Sequence, residues 1–565
     1  MTQPILIVGA GPVGLTAALS LAQQGVACRL IDQLPQRVNQ SRAAAIHART
    51  LELLERLGVI EHFLSLGVKV HGLHVTDPTG RTLMRRSLDA VPSAYNYFLG
   101  LGQDQTERLL TEAAARHGVL VERPVTLAGF SQTPENVSAT LVHADGREEQ
   151  FATPYLLGCD GSKSVVRHQL GLTLEGETLD TYWVTADVRV DWSNPADEAV
   201  AIPTPQGFFG ATPLPHGRWR VVVDMGRRPA EMPKEVSLHE VEQACQRVGL
   251  QLKLSDPAWI SLFAINTRLV PTMNVGRVFL AGDASHVHSP VGGQGMNTGI
   301  QDAINLAWKL ALVVKRQGAE SLLASYNIER HANAKRLLGF VGPATRVADL
   351  RLPVAAELRQ VALRAAGQLG LSGLGAQRIS ELDVHYRHSP IVGEYHHGIR
   401  EWRKSLLRAE PHPRLFDCWD FGKGPHPGER APEAYGLADG SSEPKRLFQH
   451  WMGDHRHQLL VFTGRLPTAG RVEQLSRMSA QIEEECGGLI RSRLVRPGEL
   501  AGAETGLVDR NGEAHHMYGA RYECLYLVRP DGYVGFRSQP AEPEPLQDYL
   551  SCILHPAITM ASLAA

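Results

Sequence analysis

The sequence has little net charge and no long apolar run. Lys and Arg total 57 against 59 Asp and Glu, which leaves a formal net charge of -2. No global field therefore attracts nucleic acid or an anionic membrane. No apolar stretch is long enough to cross a bilayer, and no basic segment with a cleavage site precedes the first predicted strand. We predict a cytoplasmic protein without nucleic-acid or membrane partners.

Paired cysteines are also missing. Seven cysteines are scattered over 565 residues, and no two of them form a C-x-x-C motif. An odd, scattered set is no disulfide framework and is typical of a reducing cytosol. The pair His286 and His288 has no third ligand beside it, so we predict no metal and interpret both rings as packing and hydrogen-bonding groups.

Glycine motifs are what the chain does contain, and the first lies at the N-terminus. The apolar run Ile5 to Val8 predicts a buried strand, and Gly9, Gly11 and Gly14 form a G-x-G-x-x-G turn. A helix ended by Gly25 and a second strand ending in Asp32 complete the unit. These glycines permit a tight turn and close approach of a pyrophosphate, and the acidic residue can accept ribose hydroxyls. The unit predicts a dinucleotide site, and FAD and NAD fit it equally well.

A second motif lies between Arg277 and Lys315. An apolar strand ends in Gly282-Asp283, a glycine loop from Pro290 to Gly295 follows, and an amphipathic helix comes next. Glycines let a flat ligand approach the backbone, and the helix start offers N–H donors. Asp283 can accept hydrogen bonds from a chain of sugar-like hydroxyls. An ordinary strand–loop–helix unit of an α/β core is the alternative.

Three further stretches carry polar residues at predicted strand or helix ends. Asp160 and Gly161 follow a strand, and Ser162 can cap the next helix. Gln103 opens another helix, where it could simply be a cap. Arg42 begins a segment that leads into a helix.

These motifs, in this order, resemble those of the single-component flavin-dependent aromatic hydroxylases, the group that includes phenol and p-hydroxybenzoate hydroxylases. The resemblance implies that Asp283 holds the ribityl chain of FAD, and that Arg42 and Asp160 lie near its pyrophosphate. It also implies that Gln103 contacts the diphosphate or the ring edge. The residues implied to lie against the isoalloxazine ring are Pro290, Gly293, Gly295, Met296 and Asn297.

The resemblance also implies the domain order of an α/β protein. Residues 1–171 and 272–395 are expected to form the two parts of a Rossmann-like FAD-binding domain, with helices at 322–344 and 354–371. Residues 172–271, with alternating strand patterns, are expected to form an inserted β-sheet substrate domain. Residues 396–565 resemble the thioredoxin-like C-terminal domain of larger family members. Without a C-x-x-C pair, a packing or dimer-related role is our hypothesis for it.

The reaction implied is hydroxylation of a phenolic or polyketide-type aromatic substrate. NAD(P)H reduces FAD, O₂ adds to the flavin as a C4a-hydroperoxide, and one oxygen passes to the ring. Phenol hydroxylases carry an Asp as a proposed base where this sequence has Ala44, so that base is not carried over. Other pocket groups considered are His47, Tyr95, Tyr97, His216 and Arg220.

Two other functions remain open from the sequence. One is an oxygenase of the same fold that performs Baeyer–Villiger insertion or inactivates an antibiotic. The other is a flavin carrier that does not oxygenate. A flavin-dependent halogenase is disfavoured, because the sequence contains no G-W-x-W-x-I-P signature.

Overall fold

The computed structural model describes residues 3–37, 43–289, 292–348, 372–396, 413–440, 443–498 and 506–555. Arg42, Pro290 and the helix expected at 354–371 lie outside these residues. The strands, in chain order, are β1 (Ile5–Val8), β2 (Cys28–Ile31), β3 (Ala45–Ile46), β4 (Val68–Val70), β5 (Gly72–Thr76), β6 (Thr82–Ser87), β7 (Phe98–Gly100), β8 (Val121–Glu122), β9 (Val125–Gln132), β10 (Val137–His143), β11 (Glu148–Thr153), β12 (Leu156–Gly158), β13 (Glu175–Val190), β14 (Glu198–Thr204), β15 (Gly207–Leu214), β16 (Arg218–Arg227), β17 (Leu254–Leu269), β18 (Asn274–Val275), β19 (Val278–Leu280), β20 (His286–Val287), β21 (Gly393–His396), β22 (Leu437–Asp439), β23 (His457–Phe462), β24 (Ile490–Pro497), β25 (Leu507–Asp509), β26 (Cys524–Val528) and β27 (Val534–Gln539).

Helices occur between these strands in every third of the chain. They are α1 (Pro12–Gln23), α2 (Ala48–Arg56), α3 (Ile60–Leu66), α4 (Gln103–Arg116), α5 (Val165–Gln169), α6 (Leu238–Arg247), α7 (Gly295–Val314), α8 (Ser321–Ala348), α9 (Ser372–Ile379), α10 (Leu415–Lys423), α11 (Ala469–Glu485), α12 (Glu513–Met517) and α13 (Pro543–Ile553). The two longest of these, α7 and α8, lie in the middle third. No helix in the described ranges is both long enough and apolar enough to span a membrane.

A six-stranded sheet forms the centre of the first part of the molecule. Its order is β18-β19-β12-β1-β2-β8, and all neighbours are parallel except β18 and β19. Strand β1 consists of apolar residues that are all buried, as expected for a parallel sheet covered on both faces. Helices α1 and α7 pack so closely that a Cβ on Gly299 would lie 2.6 Å from Val13 Cγ2. The carboxyl ends of the five parallel strands, which come from distant parts of the sequence, therefore share one edge.

An eight-stranded sheet forms the second layer, in the order β20-β17-β13-β16-β15-β14-β5-β6. Alternate residues of β13 and β16, such as Val184 and Val221, form an apolar cluster that includes residues of α6. The intervening residues, such as Asp187 and Arg220, therefore point to the opposite face. From the sequence, strands within residues 70–100 are expected to form part of a substrate-side sheet. Strands β5 and β6 join the eight-stranded sheet, whereas β7 pairs with β3 and β4 in a separate three-stranded sheet.

A seven-stranded sheet lies in the last part of the chain, in the order β21-β27-β26-β23-β24-β25-β22. The parallel unit β23-α11-β24, followed by the β26–β27 hairpin and α13, is a thioredoxin-like arrangement. Strand β21, at Gly393–His396, pairs with β27. Residues 393–395 thus hydrogen-bond with the C-terminal sheet, although the sequence placed them in the FAD-binding part, because strand pairing is not local in sequence. The other domain boundaries remain predictions.

The predicted strands and helices around the motifs are confirmed, with two differences. Ser162 does not cap the helix after the Asp160-Gly161 turn, because the N-cap of α5 is Ser164, whose hydroxyl accepts a hydrogen bond from the Arg167 amide at 2.9 Å. The sequence predicts a strand from Tyr95 to Leu99, but the strand is only Phe98–Gly100. Tyr95 and Tyr97 instead pack edge to face, with their ring centroids 6.2 Å apart. Aromatic residues favour strands, and here side-chain packing overrides that preference.

Candidate functional site

The carboxyl edge of the six-stranded sheet begins with the first glycine turn. Gly9 has a φ of +100°, and a Cβ there would lie 2.5 Å from the carbonyl oxygen of Cys159. Only glycine fits this conformation and this contact. Asp32, at the end of β2, accepts a hydrogen bond from the Ala10 amide at 2.8 Å. The turn and the acidic residue therefore form one structural unit, as the sequence predicts.

Gly14 and Gly11 have different roles in this turn. A Cβ on Gly14 would collide with the carbonyl oxygen of Gly9, so Gly14 is required by the protein fold itself. A Cβ on Gly11 would meet no protein atom within 4 Å, and its φ of -76° suits any residue. Gly11 borders open space at the start of α1, where amide groups and the helix dipole favour an anion.

Asp160 lies at the end of β12, beside this turn. Its Oδ2 accepts a hydrogen bond from the Val166 amide at 3.1 Å. Its Oδ1 is buried and has no hydrogen-bond partner among the residues that the structure describes. Burial raises the pKa of this carboxyl. A buried oxygen without a hydrogen-bond donor destabilises the protein, unless a bound ligand donates a hydrogen bond to it.

Asp283 lies at the end of β19, in a 3₁₀ turn formed by Gly282–Ala284. Its side chain is exposed, whereas its neighbours Gly282 and Ala284 are buried. Gly282 has a φ of +61°, and a Cβ there would lie 2.8 Å from Val13 Cγ2. The close contact between this turn and α1 brings Asp283 to the same edge as the first glycine turn.

Asn297 ties the start of α7 to the segment before α2. Its Oδ1 accepts a hydrogen bond from the His47 amide at 2.9 Å. Its Nδ2 donates to the carbonyl oxygens of Ala45 at 2.9 Å and Gly293 at 2.8 Å. Gly293 has a φ of +66°, and a Cβ there would lie 3.0 Å from Ala45 Cβ. Met296 and Asn297 are buried, and Gly295 begins the helix.

His47 lies against this loop and is not poised as a base. Its Nε2 is 2.7 Å from the carbonyl oxygen of Gly292, so this nitrogen carries the proton. Burial lowers the pKa of His47 to about 4. The ring therefore stays neutral at pH 7.

Tyr95 and Tyr97 lie near His47. The three side chains line a cleft too narrow for a water molecule, together with Phe98 and Ser380. Burial raises the pKa of Tyr97 to about 12. Both tyrosines are therefore protonated at neutral pH. The structure brings these three predicted groups together.

The other two pocket groups lie on the eight-stranded sheet. Arg220 is buried and pairs with Asp187 through two hydrogen bonds, and its guanidinium lies 4.8 Å from the centroid of the Trp259 ring. His216 is exposed in the turn between β15 and β16, with a φ of +63°. Neither residue lines the cleft beside His47.

Gln103 begins α4 but does not cap it. The N-cap position is Gly102, and the Gln103 side chain instead accepts a hydrogen bond from the Ala43 amide at 3.2 Å and donates to Glu107 at 2.9 Å. The alternative of a simple cap is therefore wrong. Gln103 orders the chain directly after residues 38–42.

One ion pair at the site was missed from the sequence, and the two histidines form hydrogen bonds as the sequence analysis interprets them. Arg123 forms an ion pair with Asp32 at 2.9 Å. His286 Nε2 lies 2.8 Å from Asp302 Oδ2, and His288 Nδ1 donates to the Ser289 carbonyl oxygen. The histidine pair is thus engaged in hydrogen bonds. An arginine 91 residues after its acidic partner carries no local signal that could have revealed it.

These observations fit FAD. The open space at Gly11, the unsatisfied oxygen of Asp160 and the exposed Asp283 lie along one sheet edge between the starts of α1 and α7. Amide groups at the two helix starts suit the pyrophosphate and the polar edge of a flavin. Carboxylates at strand ends suit hydroxyl-bearing chains.

Known proteins match this chain along its length. A family model described as "FAD binding domain" matches residues 2–341. A 6-methylpretetramide 4-monooxygenase from Streptomyces rimosus is 35% identical over 541 residues, which cover 95% of this chain and 90% of that protein. A pentachlorophenol 4-monooxygenase from Sphingobium chlorophenolicum is 32% identical over 342 residues, which cover 59% of this chain and 63% of that protein. The solved ternary complex of aklavinone-11 hydroxylase with FAD and aklavinone has a TM-score of 0.73 and 25% identity, and the match covers 97% of this chain and 98% of that one.

Proposed function

Because the chain belongs to the FAD-dependent aromatic hydroxylases, and is therefore an FAD-dependent aromatic monooxygenase, we propose that it hydroxylates a polyketide-type aromatic compound. The observation that carries this proposal is the extent of the similarity. The match to the 6-methylpretetramide 4-monooxygenase covers 95% of the chain, whereas the match to the pentachlorophenol 4-monooxygenase covers 59%. The similarity to the 6-methylpretetramide 4-monooxygenase thus extends beyond residues 2–341, where the FAD-binding family model matches.

The residues proposed to hold FAD lie at the sheet edge. Gly9, Gly11 and Gly14 would leave room for the pyrophosphate beside the start of α1, and Asp32 would accept hydrogen bonds from the ribose. Bound FAD, with NAD(P)H and O₂, supplies the activated oxygen for the reaction. Other residues proposed for contact with FAD are Arg42, Gln103, Asp160, Asp283, Pro290, Gly293, Gly295, Met296 and Asn297.

His47 and Tyr97 are proposed to shape the active site rather than to remove a proton. His47 is neutral and donates its Nε2 proton to the Gly292 carbonyl oxygen, so it orders the loop that would face the flavin ring. The hydroxyl of Tyr97 stays protonated and can act only as a hydrogen-bond donor or acceptor at pH 7. An acidic polyphenol needs no base, because its hydroxyl ionises readily.

The face of the eight-stranded sheet opposite α6 is proposed as the substrate wall. It carries Arg220 and Asp187, whose paired charges can hold an oxygen-rich ring edge, and the aromatic side chain of Trp259. This mixture of one apolar surface with a few polar groups suits a polycyclic phenol. His216 stays a candidate at the rim of this sheet.

Product analysis with a substrate panel tests the proposal. We expect polycyclic phenols, such as tetracycline-type precursors, to accelerate NAD(P)H oxidation by the FAD-loaded protein and to gain one ¹⁸O atom from ¹⁸O₂ on a ring carbon. Simple phenols serve as matched controls and should accelerate the oxidation much less. Faster coupled hydroxylation of simple phenols would contradict the substrate class. A lactone product would instead favour Baeyer–Villiger insertion, and no acceleration by any compound would favour a flavin carrier.

Two further assignments are proposals of the same kind. A cytosolic location follows from dependence on NAD(P)H and from seven cysteines without a disulfide between them in the structure described. A homodimer is proposed on the hypothesis that the C-terminal domain has a dimer-related role.

A further inference from the structure

Helix α7 begins directly after Gly292–Gln294, which we call the flavin loop because it would face the flavin ring. The helix carries polar residues along one side. Asp302, Asn305 and Lys309 follow one another at spacings of three and four, so they share one face of the helix. All three are at most 1% exposed. Buried charges are costly unless each has partners, so this face must be matched by another polar surface.

Helix α8 supplies one part of that surface through Glu329. Lys309 Nζ lies 2.8 Å from a carboxylate oxygen of Glu329, and Asn305 Nδ2 donates to the same oxygen at 2.7 Å. Ser389 Oγ donates to the other oxygen at 2.6 Å. Glu329 therefore joins the flavin helix to residues from further along the chain.

The C-terminal domain supplies the other part, through the turn between β26 and β27. Arg529 donates to both oxygens of Glu329, at 2.7 and 2.9 Å, and its Nε donates to Asp531 at 3.0 Å. Asp531 Oδ2 accepts a hydrogen bond from Asn305 Nδ2 at 2.9 Å. The turn thus touches the flavin helix directly and also through Glu329, and none of these side chains is more than 3% exposed.

The same turn also contacts α2. The carbonyl oxygen of Asp531 accepts a hydrogen bond from Arg49 Nη2 at 2.6 Å, and a Cβ on Gly532 would lie 3.0 Å from that nitrogen. Arg49 lies two residues after His47, whose amide donates to Asn297 at the start of α7. Helices α2 and α7 are therefore joined at their starts by Asn297 and further along by the β26–β27 turn.

From this arrangement we propose that Arg529 and Asp531 of the C-terminal domain are positioning residues for the flavin loop. They hold the spacing between α2 and α7, and so keep Gly292, Gly293 and Asn297 in the conformation that receives the flavin. The C-terminal domain is then a working part of the flavin site, which accounts for its presence without a C-x-x-C pair.

The β26–β27 hairpin contains a matched control for this proposal. Arg537 in β27 is 1% exposed and pairs with Glu394 at 2.6 Å. It also donates to the carbonyl oxygens of Phe421, Gly424 and Pro425, all from the C-terminal part of the chain. Arg529 and Arg537 are thus two buried, ion-paired arginines of one hairpin, and only Arg529 reaches the helices of the flavin site.

The experiment compares Arg529→Met with Arg537→Met in the full chain. Both variants should have a lower Tm. Only Arg529→Met should weaken FAD binding to the apoprotein, by tenfold or more in Kd measured by flavin fluorescence. Only this variant should show faster hydrogen exchange in peptides covering Gly292 to Asn305. If Arg529→Met does not fold, Asp531→Asn replaces it, because asparagine keeps the shape of the side chain. Asp531→Asn should show a smaller increase in the Kd for FAD and in hydrogen exchange of the same peptides.

Two results would overturn the proposal. One is wild-type FAD affinity and loop exchange in both Arg529→Met and Asp531→Asn. The other is an equal loss of FAD affinity in Arg537→Met, because the effect would then follow from general destabilisation. Neither result depends on the identity of the aromatic substrate, so this test is separate from that of the proposed function.

Discussion

At the scale of single residues, the glycines of the first turn separate demands of the fold from demands of the ligand. Gly14 is fixed by contact with the Gly9 carbonyl oxygen, whereas Gly11 borders empty space. The G-x-G-x-x-G spacing is read as one motif in the sequence. The structure divides it into positions that the protein needs and one that only a bound ligand would need.

Gly11→Val should therefore weaken the binding of FAD and leave the stability of the apoprotein almost unchanged. Its backbone conformation suits a β-branched residue, and no protein atom lies within 4 Å of the new Cβ, so the Tm of the apoprotein should change by less than about 2 °C. The side chain would occupy the path of the pyrophosphate and raise the Kd for FAD at least about tenfold, or about 1.4 kcal/mol. Titration of apoprotein with FAD and a thermal melt measure the two quantities.

Gly14→Ala provides the contrast for that experiment. Its methyl group would collide with the Gly9 carbonyl oxygen, so it should destabilise the apoprotein by about 1–3 kcal/mol even without FAD. A Gly11→Val protein with normal FAD affinity would rule out the proposed pyrophosphate path.

Asp283→Ala should lower retention of FAD with little effect on folding. The side chain is exposed, so its removal leaves no cavity. Loss of a carboxylate that accepts hydrogen bonds from a ribityl chain should cost about 1–3 kcal/mol of binding. The flavin-to-protein absorbance ratio after gel filtration measures it. The flavin content of Asp283→Asn should lie between those of the wild type and Asp283→Ala. Full flavin content in Asp283→Ala would show that Asp283 does not contribute to FAD binding.

At the scale of elements, the sequence predicts the strand–turn–helix units well and their partners poorly. Strand β1 is a continuous apolar run, helices α1 and α7 have periodic apolar patterns, and glycines mark their boundaries, all of which are local signals. The predicted start of strand β7 was three residues too early. Tyr95 and Tyr97 have a high strand preference, but here their side chains pack against each other before the strand begins. Pairing of β21 with β27 was missed, because those strands are about 140 residues apart and no local pattern reports the contact.

Asn297→Ala should loosen the start of α7. It removes three hydrogen bonds that join the helix to Ala45, His47 and Gly293. We expect a loss of about 2–4 kcal/mol in the free energy of unfolding, because buried backbone groups lose their partner. Denaturant unfolding of the apoprotein measures this loss.

Asn327→Ala is a matched control for that variant, since Asn327 accepts one hydrogen bond from the Met273 amide, away from the flavin loop. Its loss in the free energy of unfolding should be smaller, and its FAD affinity should be unchanged. An Asn297→Ala protein as stable as the wild type would contradict the proposed tie between α2 and α7.

At the scale of the whole molecule, the C-terminal domain and the flavin helix share one buried polar interface. Besides Arg529 and Asp531, His457 of β23 lies edge to face with Trp308 of α7, with their ring centroids 5.4 Å apart. Burial lowers the pKa of His457 to about 3, so the ring stays neutral in the folded protein. Contacts of this kind make the stability of the domain junction depend on pH.

His457→Leu should reveal that dependence. Below pH 6.5 the unfolded chain binds a proton at His457 while the folded chain does not, so the wild type loses stability as the pH falls from 6.5 towards 3. The variant lacks this linkage. The difference in the free energy of unfolding between the variant and the wild type should therefore change in favour of the variant by about 1.4 kcal/mol per pH unit, or about 2 kcal/mol between pH 6.5 and 5. Parallel stability curves for the two proteins would show that folding does not lower the pKa of His457, and so contradict the prediction.

The sequence by itself determined the glycine turns, the strand-end carboxylates and, through their order, the flavin-dependent family of the protein. These signals are local, because a tight turn or a helix start is specified by a few neighbouring residues. Only the tertiary structure decided which of these glycines face open space, and that Arg529 and Asp531 lie against a helix more than 200 residues earlier. Such contacts depend on how sheets and helices pack, and packing leaves no mark in the spacing of residues along the chain.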